Sequence, residues 1–326
     1  MMNIFRLIIL SLTLTVPFSA WSCDACGCKL GAFSFDILPG YNANFIGLKY
    51  GLATFDAQIR SESGTLNETS DDKFERIEVI GQTRINDRFR LNWIIPLVRN
   101  VMDGNIEDHL SSGLGDPIVL ANYQVTNIIK EARKIQHQLT VGFGIKLPIG
   151  QYDKEYDSEV INRNFQIGTG SVDFISTLNY VFRYRKTGLN LSGSFKKNTT
   201  NPDDFLYGDQ TNLNANVFRM INFFNYSLSP IIGVYHEASK QHLESGYIVG
   251  NSGGNATFLN IGGQGYVGRF TFSINLQSPI RQNFKAENTK LLTTNINTNN
   301  RFSITVFYRL GKRKIEEIKT LNNKTD

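Results

Sequence analysis

Twelve segments of this 326-residue chain alternate apolar and polar residues with period two, and the links between them alternate between long and short. The segments run over 45–57, 74–86, 88–98, 115–128, 135–149, 171–185, 188–199, 210–222, 225–237, 255–267, 269–281 and 300–310. Such alternation gives an extended strand one oily face and one polar face. In 135–149, Ile135, His137, Leu139, Val141, Phe143 and Ile145 oppose Gln136, Gln138, Thr140, Gly142, Gly144 and Lys146. Short links fall at 86–87, 129–134, 186–187, 222–225 and 268, and long polar links at 58–73, 99–114, 150–170, 200–209, 238–254 and 282–299. If direction reverses at every link, all the long loops gather at one end and all the tight turns at the other. Outer-membrane barrels are organised this way, with tight periplasmic turns and longer outer loops. A soluble sandwich could bury the same oily faces, but its packing would not sort the loops by length.

The expected fold is therefore all-β: a transmembrane antiparallel up-and-down β-barrel of about 12 strands spanning 45–310, in the bacterial outer membrane. Phe89, Tyr123, Tyr184, Phe224, Tyr226, Phe270, Phe302 and Tyr308 lie near the ends of the oily stretches and fit the aromatic girdles of a lipid–water interface. Composition agrees with strands and turns: 33 Asn and 28 Gly stand against 8 Pro, and 23 Phe with 13 Tyr supply too much apolar area for a disordered chain. A mean hydropathy of −0.22 is too polar for a helical membrane protein. No apolar run beyond residue 22 approaches the roughly 20 residues of a spanning helix. The formal charge of +5 is dispersed along the chain, which argues against nucleic acid as a partner.

Residues 1–22 read as a secretory signal: Arg6 precedes the apolar stretch Leu7 to Val16, Pro17 breaks it, and Ala20-Trp21-Ser22 places small residues at the cleavage positions. Cleavage before Cys23 would leave a Cys-containing segment, 23–44, ahead of the barrel, with a Lys- and Glu-rich periplasmic tail at 311–326. All three cysteines, Cys23, Cys26 and Cys28, fall in Cys23-Asp24-Ala25-Cys26-Gly27-Cys28. Three readings fit that spacing. A Cys23–Cys26 disulfide suits an oxidising compartment. Three thiolates with the new α-amine would hold a soft metal, copper(I) or zinc. Lipidation of Cys23 is the third, opposed by the bulky Trp21 on its approach.

With the oily face toward lipid, parity turns Lys49, Arg76, Glu78, Arg84, Arg88, Arg90, Asp116, Lys146, Asp173, Arg183, Lys196 and Arg309 toward the lumen, nine cations against three anions. Such charges must pair or meet water. A hydrated conduit lined by Lys49, Glu78, Arg84, Arg90, Asp116, Lys146, Asp173 and Arg183 satisfies that demand. So does a closed barrel whose ion pairs only hold its shape. At the outer mouth, Gly115-Asp116, Gly170-Ser171-Val172-Asp173 and Gly208-Asp209 each open a descending strand. Local turn chemistry explains them; a carboxylate ring capturing Ca²⁺ is the alternative.

Three stretches carry a family resemblance: Gly113-Leu114-Gly115-Asp116-Pro117, Lys146-Leu147-Pro148-Ile149-Gly150, and Gln166-Ile167-Gly168-Thr169-Gly170-Ser171-Val172-Asp173-Phe174. They are similar to marks of the "meta-pathway of phenol degradation" group of outer-membrane proteins, and the likeness spans residues 45–310. The resemblance implies an outer-membrane barrel, distantly similar to long-chain fatty-acid transporters, that passes small hydrophobic or aromatic compounds. It brings no catalytic residues.

Enzyme chemistry has little to stand on. A barrel phospholipase needs a Ser–His pair near the outer leaflet. His137 starts an ascending strand on the periplasmic side, His236-Glu237-Ala238-Ser239 lacks a tight His–Ser–Asn arrangement, and His109 and His242 fall in outer loops. The expected function is passage of small solutes across the outer membrane, with outer-membrane lipid and the solute as partners. The alternative is a non-conducting barrel whose cysteine segment binds a soft metal or a periplasmic partner.

Overall fold

In a computed structural model of the chain, residues 43–61, 67–106, 108–156, 159–284 and 292–311 are described. Cys23, Cys26 and Cys28, the signal and the charged tail lie outside them. Twelve long strands form the barrel: β1 (Asn44–Ser61), β2 (Asn67–Arg84), β3 (Phe89–Gly104), β4 (Ile118–Lys130), β5 (Ile135–Lys146), β6 (Asp173–Tyr184), β7 (Thr187–Lys197), β8 (Gln210–Arg219), β9 (Tyr226–Ser239), β10 (Gly254–Val267), β11 (Phe270–Phe284) and β12 (Arg301–Leu310). Each pairs antiparallel with its sequence neighbours. Pairing of Asn44–Leu52 of β1 with Phe302–Leu310 of β12 closes the ring. Closure matters because hydrocarbon offers no water to an unpaired strand edge.

The outward faces are oily. Leu48, Phe143, Leu178, Leu213, Ile232, Ile261 and Ile274 are all exposed, as lipid contacts require. At the turn end, pairs of aromatic rings form a belt: Phe89 with Tyr123 at 4.8 Å, Phe223 with Tyr226 at 4.5 Å, and Phe270 with Tyr308 at 5.2 Å between centroids. Arginines in the adjoining turns tie into this belt. Arg88 donates to the Tyr123 hydroxyl at 3.3 Å, Arg269 donates to that of Tyr308 at 3.2 Å, and Arg185 lies 5.3 Å from the Tyr184 ring. Aromatic and basic groups side by side suit the headgroup level. Arg88 therefore points outward, not into the lumen. Phe302 sits away from the belt, opposite Leu52 and Leu276.

The long links depart most from the sequence reading. Residues 58–61 and 67–73 extend β1 and β2, and 99–104 extends β3; Asp108–Leu114 then pairs back on β3, and Leu292–Thr298 pairs on β1. Together they raise one side of the barrel into a wall beyond the lipid. Outward residues there are Asp56, Arg60, Asp71, Lys73 and Asp103, while Phe55, Ala57, Ile59, Phe74 and Met102 face inward and are buried. The oily face has changed sides because water replaces lipid outside. A sequence reading that looks for a lipid-facing stripe therefore sees only a polar loop.

Ile274 faces lipid between Gly263 and Ile304. Ile274→Arg should cost about 2–4 kcal/mol if it lies near the bilayer midplane, whereas Asn275→Ser on the inward face should change stability little. Urea unfolding in lipid vesicles checks both.

Candidate functional site

The interior has two chemically different walls. Phe45, Ile80, Ile94, Ile118, Leu120, Ile175 and Phe307 form a buried apolar belt contributed by β12, β1–β4 and β6. The opposite wall is rich in amides and hydroxyls: Asn190, Asn212, Asn216, Ser229, Asn260, Gln264 and Ser273 are all buried. Asn260 donates to Asn216 at 2.9 Å and Tyr235 to Asn212 at 3.1 Å. Among the described residues Asn190 Oδ1, Asn214 Oδ1, Ser229 Oγ and Thr305 Oγ1 have no hydrogen-bond partner.

The described residues of the loop 147–172 turn inward and pack under the raised wall. Phe165 is fully buried and stacks on Phe74 at 5.3 Å. Ile161 and Phe165 join Phe55, Ala57, Ile59, Phe74, Met102 and Ile296 in one aromatic cluster under the raised wall. Asn100 of β3 donates to the carbonyls of Phe165 and Gln166 at 3.1 and 3.3 Å. The buried Gln166 amide braces the loop, accepting from the Lys154 N–H at 3.0 Å and donating to the Lys154 carbonyl at 2.9 Å.

Two carboxylates fasten the loop to the barrel. Asp116 accepts from the backbone N–H of Gly150 and of Thr169, each at 2.9 Å. Asp173 accepts from Ser171 Oγ at 2.9 Å and the Thr199 N–H at 3.2 Å. Lys146 Nζ lies between them, 3.0 Å from Asp116 and 2.6 Å from Asp173, and also donates to Thr169 Oγ1. All three charged side chains are buried. The loop's two ends cross so closely that a Cβ on Gly168 would stand 2.2 Å from the Gly150 carbonyl oxygen. Gly170 holds φ +70°, a conformation that disfavours side chains, under the Tyr152 ring. These residues are the three motif stretches of the sequence, and their shared task is to seat this loop.

Other interior charges also pair. Lys49 lies 3.6 Å from Glu78. Arg301 makes a two-pronged contact with the fully buried Glu237, at 2.8 and 2.7 Å, and stacks 4.2 Å over Phe258. Arg90 donates to Gln124 at 3.3 Å, Arg183 faces inward near the turn end, and Arg84 sits at the rim, joined to Asp87 of the turn. Glu237 and Arg301 escaped the sequence reading; their inward parity was the available signal. Among the described residues no acidic ring forms at the mouth: Asp116 and Asp173 share Lys146, and Asp209 meets Lys197 at 2.9 Å and Lys240 at 3.0 Å. A Ca²⁺ site would need those acids free. The histidine rings contact Tyr180 (His137, 2.7 Å) and Thr257 (His236, 2.9 Å), and His242 Nδ1 accepts from the Gly208 N–H at 2.9 Å.

The outer loops 198–209 and 240–253 pack over the inward loop. Tyr207 donates to the Arg163 carbonyl at 2.9 Å, and burial pushes its phenol pKa up. Burial pushes the Asp209 carboxyl up as well, but hydrogen bonds from Lys197, Lys240 and the Asn198 N–H outweigh it and hold the pKa below its ordinary 3.8. A lowered pKa stabilises the fold above the unfolded value, and this contribution disappears as pH falls through the folded value. Pepsin should therefore cut within 240–253 faster near about pH 2 than near about pH 4, relative to a reference peptide. In the fastening cluster, Lys146→Met leaves two buried carboxylates unpaired and should destabilise the barrel by about 3–5 kcal/mol, read by denaturant unfolding.

No curated protein sequence matches this chain. Among solved structures, an outer membrane channel from Pseudomonas putida F1 aligns with TM-score 0.57 at 15% identity, over 86% of this chain and all of that one. The β domain of the Bordetella autotransporter BrkA and a Pseudomonas aeruginosa FadL homologue align more weakly. Both have TM-score 0.44 and 10% identity; they cover 82% and 83% of this chain, and 100% and 91% of their own. At 15% identity the likeness to the Pseudomonas putida F1 channel is one of fold, a closed β-barrel. The family model described as "Putative MetA-pathway of phenol degradation" matches residues 43–296, so the chain belongs to that family of outer-membrane barrels.

Proposed function

We propose that this protein is an outer-membrane channel for small, largely apolar solutes, aromatic compounds among them, with the inward loop 147–172 controlling entry. The apolar lining carries this reading. A water-filled general porin lines its lumen with polar groups, whereas here Phe45, Ile80, Ile94, Ile118, Leu120, Ile175 and Phe307 form an inward-facing belt, with Phe55, Phe74 and Phe165 above it. These side chains are packed against one another, and what the inward loop uncovers as it moves favours an apolar body by about 25 cal/mol per Å² removed from water. The amide wall opposite gives water and polar substituents a place to hydrogen-bond. The family description and the channel from Pseudomonas putida F1 support the same reading.

The test is entry of the apolar dye N-phenyl-1-naphthylamine into cells with an intact outer membrane, together with single-channel conductance of the purified protein. Expression should speed dye entry. Asp116→Ala releases the Gly150 and Thr169 amides while Lys146 keeps Asp173, so the loop should loosen and both dye entry and conductance should rise severalfold. Unchanged dye entry with steady conductance would replace the reading with a pore for hydrophilic solutes. Silence in both measurements would leave a non-conducting binding or scaffold barrel.

A further inference from the structure

Beneath the aromatic cluster the lumen opens beside Arg76. Across the strands Arg76 of β2 pairs with Gly51 of β1, which pairs on its other side with Ser303 of β12, all three facing inward by strand alternation. Among the described residues no atom lies within 4 Å of the place a Gly51 Cβ would occupy. Inward glycines elsewhere in the wall have no such room: a Cβ on Gly47, Gly142, Gly144 or Gly188 would meet a neighbour at 2.3–2.6 Å. Among the described residues the wall therefore leaves room beside Gly51 that it does not leave beside those glycines.

The chemistry bordering that space is polarised. Above it, Ala53 and Phe74 face each other across β1 and β2, next to Phe55 and Phe165. Below it, Lys49 and Glu78 are already joined to one another. Arg76 is half-buried, and among the described residues no hydrogen bond or ion pair holds its guanidinium, although Glu78 and Asp116 lie within Coulombic range. Lys196, on β7, feels Arg76, Lys146, Asp116 and Asp173. At and above this level five inward cations (Lys49, Arg76, Lys146, Lys196, Arg301) face five inward acids (Asp72, Glu78, Asp116, Asp173, Glu237); Glu78, Asp116 and Asp173 each have a lysine partner and Glu237 has Arg301, so none of these four is paired with Arg76. On the turn side of Glu78, Arg90, Arg183 and Arg309 face inward, and the described strands there present no inward acid.

We propose that the space beside Gly51 binds an amphipathic carboxylate, its head group accepting hydrogen bonds from the Arg76 guanidinium and its apolar body lying against Ala53, the partly buried edge of the cluster that holds Phe55 and Phe74. A guanidinium fork matches a carboxylate's two oxygens. The inward arginines beyond draw the same charge toward the periplasmic mouth. This deepens the channel reading, on which it rests, by naming the solute class.

The test uses the full chain in lipid nanodiscs, titrated calorimetrically with 4-phenylbutyrate and with 4-phenylbutanol, which share an apolar body and differ in the head group. The wild type should prefer the carboxylate by about tenfold, less so in high salt. Arg76→Gln should erase that preference while keeping alcohol binding, Arg76→Lys should retain part of it, and Gly51→Leu should weaken both probes by filling the space. Heat-modifiable gel migration confirms that each variant is folded. Equal binding of the two probes to the wild type, or a preference that survives in Arg76→Gln, would overturn the carboxylate site and leave the apolar-solute channel standing. Binding of neither probe, with no dye entry in cells, would overturn both.

Discussion

Closure of the sheet is the constraint on which the rest of this molecule depends. In hydrocarbon each unpaired backbone N–H or C=O costs several kcal/mol, so the first strand must find the last. Here the first nine residues of β1 pair with the last nine of β12, and no lipid-level edge remains between them. Once the ring is closed, alternation leaves no freedom: every residue facing away from lipid faces the interior. The lumen's composition is therefore written by the odd or even positions of twelve strands. The abundance of Asn in the chain becomes intelligible as well, because many asparagines line one interior wall, where a short amide can hydrogen-bond its cross-strand neighbours.

The second organising element is the Asp116–Lys146–Asp173 cluster. Backbone amides of a loop entering a lumen need partners, and carboxylates are strong acceptors. Two buried carboxylates, however, repel one another and are costly to dehydrate. One lysine between them settles both problems, and the glycines at 150 and 168 let the two ends of the loop cross in contact. The arrangement turns an outer loop into part of the interior. It also explains why Gly and Asp recur where strands begin: they serve attachment of a loop, and their negative charge is already neutralised by lysine.

The interior that results is neither a uniformly wet pore nor a sealed core. An apolar belt and an aromatic cluster occupy one side, amides and hydroxyls the other, and cations outnumber acids along the path to the turn end. A surface of this kind discriminates by shape and polarity together. Apolar contact supplies attraction without direction, and a few fixed charges orient what is attracted. In the channel proposed above, passage depends on how the loop yields, since Phe165 is buried and stacked on Phe74.

Much of the architecture was legible in the sequence alone. Strand count, strict up-and-down order, the side on which the loops gather and the aromatic belt at the turns all follow from a period of two and from link lengths. Both are local properties. The interior parity of Lys49, Arg76, Lys146 and Asp173 was readable for the same reason. Tertiary structure alone decided what no local pattern encodes: that β1 to β3 outrun the bilayer and reverse their oily face, that the loop 147–172 folds inward, that Arg88 turns out to Tyr123, and that Glu237 reaches Arg301 across two intervening strands. Alternation tells each residue which face it occupies. Only closure of the ring brings distant strands to one level and determines which charges meet.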